Sequence, residues 1–182
     1  MPRSATSTTH AILLSLAAAF APLAQAQTQA AAGAVQSEKL SPIDQQFLQD
    51  AGQAGATELT ASKLALTHAS DRQVREFAQR MIVDHTKLAR NLDVIAKRHG
   101  ITAPPAADTA VIGSLQNLQG AEFDKAYIEK VAVDGHQKAV ELFRKESEAG
   151  NDTALKTAAT KALPIIRHHY EMAQQLAKKA AS

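Results

Sequence analysis

Apolar residues recur along the chain in steps of three and four, which is the spacing of one face of an α-helix. This pattern predicts four long helices, over residues 42–69, 71–99, 121–149 and 152–180. Ser41 and Pro42 suit the start of the first helix, and Gly100 and Gly150 suit the ends of the second and third. The sequence therefore predicts an all-α protein.

The connections between the helices determine how they are arranged. Very few residues separate the first helix from the second, or the third from the fourth, so each pair is antiparallel. About 20 residues, from Ile101 to Gly120, separate the two pairs, and Pro104 and Pro105 interrupt any helix there. A connection of this length crosses the length of a bundle. The prediction is a four-helix bundle with one long crossover between helices 2 and 3.

Particular residues predict local features of the first and fourth helices. Ile165 and His169 belong to the predicted inner face of the fourth helix, and Pro164 between the apolar positions predicts a kink. Gly52 and Gly55 weaken the first helix, so each predicts a close approach by a neighbouring segment.

One ionisable residue interrupts the apolar inner face of each helix near its midpoint. The four residues are Glu58, His85, His136 and His169. At a rise of about 1.5 Å per residue, all four are expected at the same level of the bundle. Three imidazoles and one carboxylate suit a single zinc, copper or iron ion. Met81 and Met172, one turn from histidines, would favour copper as ligands, although both also suit plain core packing.

A metal-free polar core is the alternative for the same four residues. Burying ionisable groups costs on the order of several kcal/mol unless they pair with each other, with water or with a metal. An ion pair between Glu58 and a histidine, fixing the register of the helices, satisfies this requirement as well as a metal does. Asp84 and Asp134 point away from their neighbouring histidines, so they are predicted to be surface charges or partners of ligands.

The amino-acid composition excludes several kinds of site and several kinds of partner. The chain has no cysteine, which excludes disulfides, thiolate zinc sites and cysteine nucleophiles. Its 20 lysines and arginines nearly balance its 18 acidic residues, so neither nucleic acid nor anionic lipid is an expected partner. No complete catalytic set supports an enzyme. The competing function is a non-enzymatic interaction or stress-protective protein, with a contact surface around Leu59 and Leu66.

The first 26 residues have the pattern of a secretory signal peptide. Arg3 precedes an apolar run over residues 11–23, and a small-x-small triplet ends at Ala26. The run has about 13 residues, fewer than the roughly 20 that span a bilayer. We expect cleavage after Ala26, a flexible tether over residues 27–40, a bundle domain over residues 41–180, and a periplasmic protein without a membrane span.

Four stretches distinguish these helices, namely ATELTASKLAL, FAQRMIVDHTKLARNL, FDKAYIEKVAVDGHQKAVELF and ALPIIRHHYEMAQQL. In them the chain resembles the bacterial exported family called domain of unknown function 4142, from about residue 41 to residue 176. The resemblance implies a ferritin-like four-helix bundle without an established activity. Ferritin-like di-iron proteins carry Glu-x-x-His on two helices. Here Ile82, Val133 and Ile166 stand three positions before the histidines, so a ferroxidase or di-iron oxygenase is not expected.

Overall fold

The computed structural model describes residues 39–181, in which every regular element is a helix. In chain order the elements are α1 (Pro42–His68), α2 (Arg72–Arg98), α3 (Thr109–Gly113), α4 (Gly120–Tyr127), a π-helical segment (Ile128–Val133), α5 (Asp134–Ala149) and α6 (Thr153–Ala180). The third long helix of the bundle consists of α4, the π-helical segment and α5 in unbroken succession. The expected signal peptide and most of the expected tether lie outside the described residues. None of the helices within residues 39–181 is long and apolar enough to cross a membrane.

Contacts between the helices define an up-down-down-up bundle. Ser62 of α1 is hydrogen-bonded to Tyr127 at the end of α4. Asp44, at the start of α1, binds Asn151, just after α5. These contacts make α1 antiparallel to α4 and α5, and α2 is antiparallel to α6 in the same way. The arrangement confirms the ferritin-like four-helix bundle with one crossover.

The crossover between α2 and α4 runs along α1. Pro105 packs against Gly52, where an added Cβ would lie only 2.8 Å from the Pro105 Cβ. Three residues later, Asp108 donates its backbone N–H to Thr57 Oγ1 over 2.8 Å. The close approach predicted at Gly52 is confirmed. The one predicted at Gly55 is wrong, because no atom of a neighbouring segment lies within 4 Å of a Cβ added there.

A buried aspartate of α4 fastens the turn between α1 and α2. Asp124 Oδ2 accepts hydrogen bonds from the backbone N–H groups of Ser70, at 3.2 Å, and Asp71, at 2.9 Å. The Ser70 hydroxyl donates to the same oxygen. The turn of the first hairpin is therefore held by a side chain of the second hairpin.

Asp44 of α1 fastens the turn between α5 and α6 in the same manner. Its two oxygens accept the N–H groups of Asn151, at 2.8 Å, and Asp152, at 3.2 Å, as well as the Ser41 hydroxyl. Burial alone would raise the pKa of Asp44, but these hydrogen bonds hold it below its ordinary value. Glu146 is buried beside it. Burial and the Asp44 charge raise the pKa of Glu146 to about 7.

A layer of polar side chains divides the apolar core into two clusters. One cluster contains Met81 and Phe123, and the other contains Phe47 and Phe143. Leu40, expected in the tether, is 7% exposed and belongs to the second cluster, so the packed bundle includes it. The residues between the clusters are the four ionisable ones predicted from the inner faces, each at most 4% exposed: Glu58, His85, His136 and His169.

The inner face of α6 departs from the prediction after Ala162. Ile166 is 2% exposed, whereas Ile165 is 50% exposed, so the prediction that Ile165 faces the core is wrong. The prediction alternated steps of three and four strictly. The buried positions Leu155, Ala158, Ala162, Ile166, His169 and Ala173 span 18 residues in five steps, or 3.6 residues per turn, whereas strict alternation averages 3.5. The additional step of four falls between Ala162 and Ile166. A step of three then leads to His169, which is buried as predicted.

Replacing Glu146 by glutamine is expected to change how stability depends on pH. The folded pKa of Glu146, about 7, exceeds its ordinary value of 4.5, so the folded protein binds this proton more tightly than the unfolded chain. The resulting stabilisation is complete below about pH 4.5 and is lost as the pH rises through about 7. Thermal unfolding should show that Glu146→Gln gains stability relative to the wild type between about pH 5 and about pH 8.

The matched control is Glu148→Gln, at an exposed position two residues further along α5. This variant should follow the wild type at both pH values. A constant difference between Glu146→Gln and the wild type at the two pH values would show that Glu146 does not titrate in this range.

Candidate metal centre

The three histidines of the polar layer face one another. Their ring centroids form a nearly equilateral triangle, with sides of 5.5, 5.5 and 5.6 Å. His85 and His169 are stacked at 29°, and His136 is nearly perpendicular to both. One ring nitrogen of each histidine lies within 4.8 Å of one ring nitrogen of each of the others. The structure thus brings together three histidines from three different helices.

Glu58 contacts two of the three rings. Its Oε2 lies 2.8 Å from His85 Nδ1, and its Oε1 lies 3.7 Å from His136 Nδ1. The Val131 carbonyl oxygen lies 3.3 Å from the same nitrogen of His136. The donor atoms that lie within 4.8 Å of one another belong to the three histidines and do not include a Glu58 oxygen. This placement suits a carboxylate that orients histidine rings.

Asp84 contacts the third ring, that of His169, as Glu58 contacts the other two. Its Oδ2 lies 3.1 Å from His169 Nε2, and its side chain is 25% exposed, at the boundary between site and surface. The sequence predicted Asp84 as a surface charge or a partner of a ligand, beside His85. The structure pairs it with a histidine of another helix, because α6 packs against that flank of α2. Sequence spacing within α2 contains no signal for such a contact.

The other nitrogen of each ring has no hydrogen-bond partner among the residues from 39 to 181. These nitrogens are His85 Nε2, His136 Nε2 and His169 Nδ1. Leaving a polar group buried and unpaired costs about 1–3 kcal/mol, so three in one layer require an explanation. Tetrahedral zinc bound at about 2.0–2.1 Å would bring its nitrogen ligands to roughly 3.3 Å from one another. The ring nitrogens lie within 4.8 Å of one another, so binding an ion would shorten each separation by no more than about 1.5 Å.

The charge of the metal-free layer is concentrated on one pair. Burial alone would lower the pKa of His85, but the Glu58 carboxylate raises it above its ordinary value. Burial would likewise raise the pKa of Glu58, but the charge of His85 lowers it. Burial, followed by the charge of His85, lowers the pKa of His169 to about 4, and burial also lowers that of His136. Without metal, a Glu58–His85 ion pair therefore stands beside two neutral imidazoles.

A π-helical segment directly precedes the turn that carries His136. Segments of this kind are rare in proteins, and those that occur are often found at functional sites. Its Val131 carbonyl contacts the His136 ring, as described above. The π-helical segment was not predicted from the sequence. Its available signal was two successive steps of four, from Ile128 to Ala132 and on to His136, which drift around an α-helix but remain on one face of a wider helix.

Comparison with known proteins agrees with the fold. The family model described as Domain of unknown function (DUF4142) matches residues 13–176. A solved structure titled "Crystal structure of DUF305 fragment from Deinococcus radiodurans" is similar, with a TM-score of 0.65 and 19% sequence identity. The similarity covers 77% of this chain and 99% of that chain, and at this identity it shows the fold alone. No curated protein matches the chain.

Replacing His85 by leucine is expected to destabilise the metal-free protein, because Glu58 would remain buried without its partner. Breaking a buried ion pair in this way costs about 3–5 kcal/mol. The double variant Glu58→Leu/His85→Leu contains neither charge, so it should regain most of that loss. Urea denaturation in the presence of a chelator measures both free energies of unfolding.

The control for this comparison is His168→Leu, at an exposed position on α6. It should change the free energy of unfolding by no more than about 0.5 kcal/mol. A double variant no more stable than His85→Leu alone would argue against the ion pair.

Proposed function

The chain belongs to the family described as Domain of unknown function (DUF4142), and we propose that it binds one transition-metal ion through His85, His136 and His169. The observation that carries this proposal is the triangle of buried ring nitrogens, all within 4.8 Å of one another. Each ring has an oxygen atom beside one nitrogen and an unpartnered nitrogen on the other side. Neutral imidazoles of this kind suit zinc, copper or iron.

Glu58 and Asp84 would orient the ligands and offset the charge of the ion. Glu58 contacts His85 and His136, and Asp84 contacts His169, so every ring has a carboxylate within reach. Such carboxylate–histidine pairs fix the tautomer of the ring and strengthen it as a ligand. Because an imidazole binds metal through a free lone pair, ion binding would displace the proton on His85 Nε2, while the proton on Nδ1 would stay between the ring and Glu58.

A metal-free core that only fixes helix register is the competing interpretation, with an interaction or stress-protective function. The Glu58–His85 pair favours it, since that pair balances its own charge. It leaves the three ring nitrogens without a partner, whereas a metal ion would use all of them. Leu66 on α1 is 42% exposed, but the other exposed large apolar residues of the described chain are spread over α2, the crossover and α6. Scattered residues of this kind do not form a contact surface.

Elemental analysis after equilibration with zinc, copper or iron salts and removal of free ion tests the proposal. We expect about one ion per chain, and loss of binding in His85→Ala, His136→Ala and His169→Ala. Asp84→Asn, which leaves the three ligands in place, should weaken binding by about 10–100-fold. His168→Ala, an exposed neighbour of His169, should bind as the wild type does. Less than about 0.1 ion per chain in the wild type would refute the metal site.

We also propose that the protein is exported to the periplasm. The support is the pattern of the first 26 residues, with Arg3 ahead of a short apolar run and a small-residue cleavage triplet. Mass spectrometry of the protein from the periplasmic fraction should find a mature chain that begins at Gln27. A full-length chain that begins at Met1 and sediments with the membranes would show that the segment is not removed.

A further inference from the structure

A surface pocket of about 240 Å³ lies between α2 and α6, and two histidines of the triangle, His85 and His169, line it. These two rings lie at its inner end, together with Asp84. The pocket therefore approaches the triangle from the flank of α2 and α6, whereas Glu58 contacts the rings from α1. Its volume corresponds to about eight water molecules, at roughly 30 Å³ each.

The walls of this pocket are mostly apolar. Ile165, whose exposure contradicts the predicted inner face, lines it and is half exposed, so it forms part of the mouth. The remaining apolar lining residues are Leu88, Ala158, Ala162 and Ile166. A ligand that enters would exchange water for contact with these side chains, which favours one with an apolar part.

Two lysines give the pocket a positive rim. Lys87 Nζ lies 3.8 Å from Asp84 Oδ1, and its side chain is 73% exposed. Lys161 also lines the pocket, is exposed, and forms no ion pair with any residue between 39 and 181. Positive charge at the mouth of a small cavity attracts anions.

We propose that this pocket binds a small anion with a short apolar part, of the class of short-chain carboxylates, and that its carboxylate completes the coordination of the metal ion. The inference rests on the proposed metal site. An ion held by three protein ligands keeps a further position for water or an external ligand. The carboxylate would supply the oxygen donor, and the alkyl part would contact Ile165 and Ile166. Lys161 would balance the negative charge, since Lys87 lies beside Asp84.

Cobalt-loaded protein provides the test, because the visible bands of Co²⁺ depend on its coordination geometry. Titration with butyrate should change these bands with saturation, and butyrate should bind several-fold more tightly than acetate because it buries two more methylene groups. Ile165→Trp fills the mouth and should weaken butyrate binding by about tenfold or more, with the cobalt stoichiometry unchanged. Lys161→Gln should weaken butyrate but not neutral imidazole.

The matched control is Val94→Trp, because Val94 is 50% exposed like Ile165 but lies outside the pocket. It should bind butyrate as the wild type does. Absence of cobalt bands in the wild type would overturn the metal site, and this inference with it. Cobalt bands that butyrate does not change, or an equal response in Ile165→Trp and Val94→Trp, would overturn the pocket alone.

Discussion

The burial of four ionisable side chains between two apolar clusters is the constraint on which the rest of the bundle depends. Removing a carboxylate and three imidazoles from water is unfavourable unless they meet one another or an ion. The 2.8 Å contact between Glu58 and His85 requires α1 and α2 to be in register. The contacts of His136 with Glu58 and of His169 with Asp84 extend that requirement to the second hairpin.

Features outside the polar layer maintain this register. Asp124 and Asp44 fasten the turns at the two ends, so neither hairpin is free to slide along the other. Pro105 packs closely against Gly52, so the crossover lies directly on α1. The π-helical segment lies beside the layer and alters the helix shortly before His136. The site is therefore supported by contacts of both hairpins and the crossover.

Much of this could be predicted from the sequence, because helix periodicity, capping residues and connection lengths are local properties of the chain. These properties were sufficient to predict the four helices, the crossover and the common level of the histidines. The pairing of Asp84 with His169 could not be predicted, because it depends on how α6 packs against α2. Ile165 was predicted to be buried, but Ile166 is buried in its place. The prediction used strictly alternating steps of three and four, which describe the contact face of a supercoiled helix better than that of an ordinary α-helix.

The two aspartate clamps also determine how the chain can fold. Asp44 and Asn151 are 107 residues apart in sequence, and Asp124 and Ser70 are 54 apart. Helical bundles usually fold fast because most of their contacts are local. Here the backbone N–H groups that Asp124 and Asp44 accept gain these partners only after the other hairpin has docked. Closing such long loops costs entropy before the hydrogen bonds form, so the last step of folding involves both halves of the chain and is slower than in a bundle of this length whose turns have only local partners.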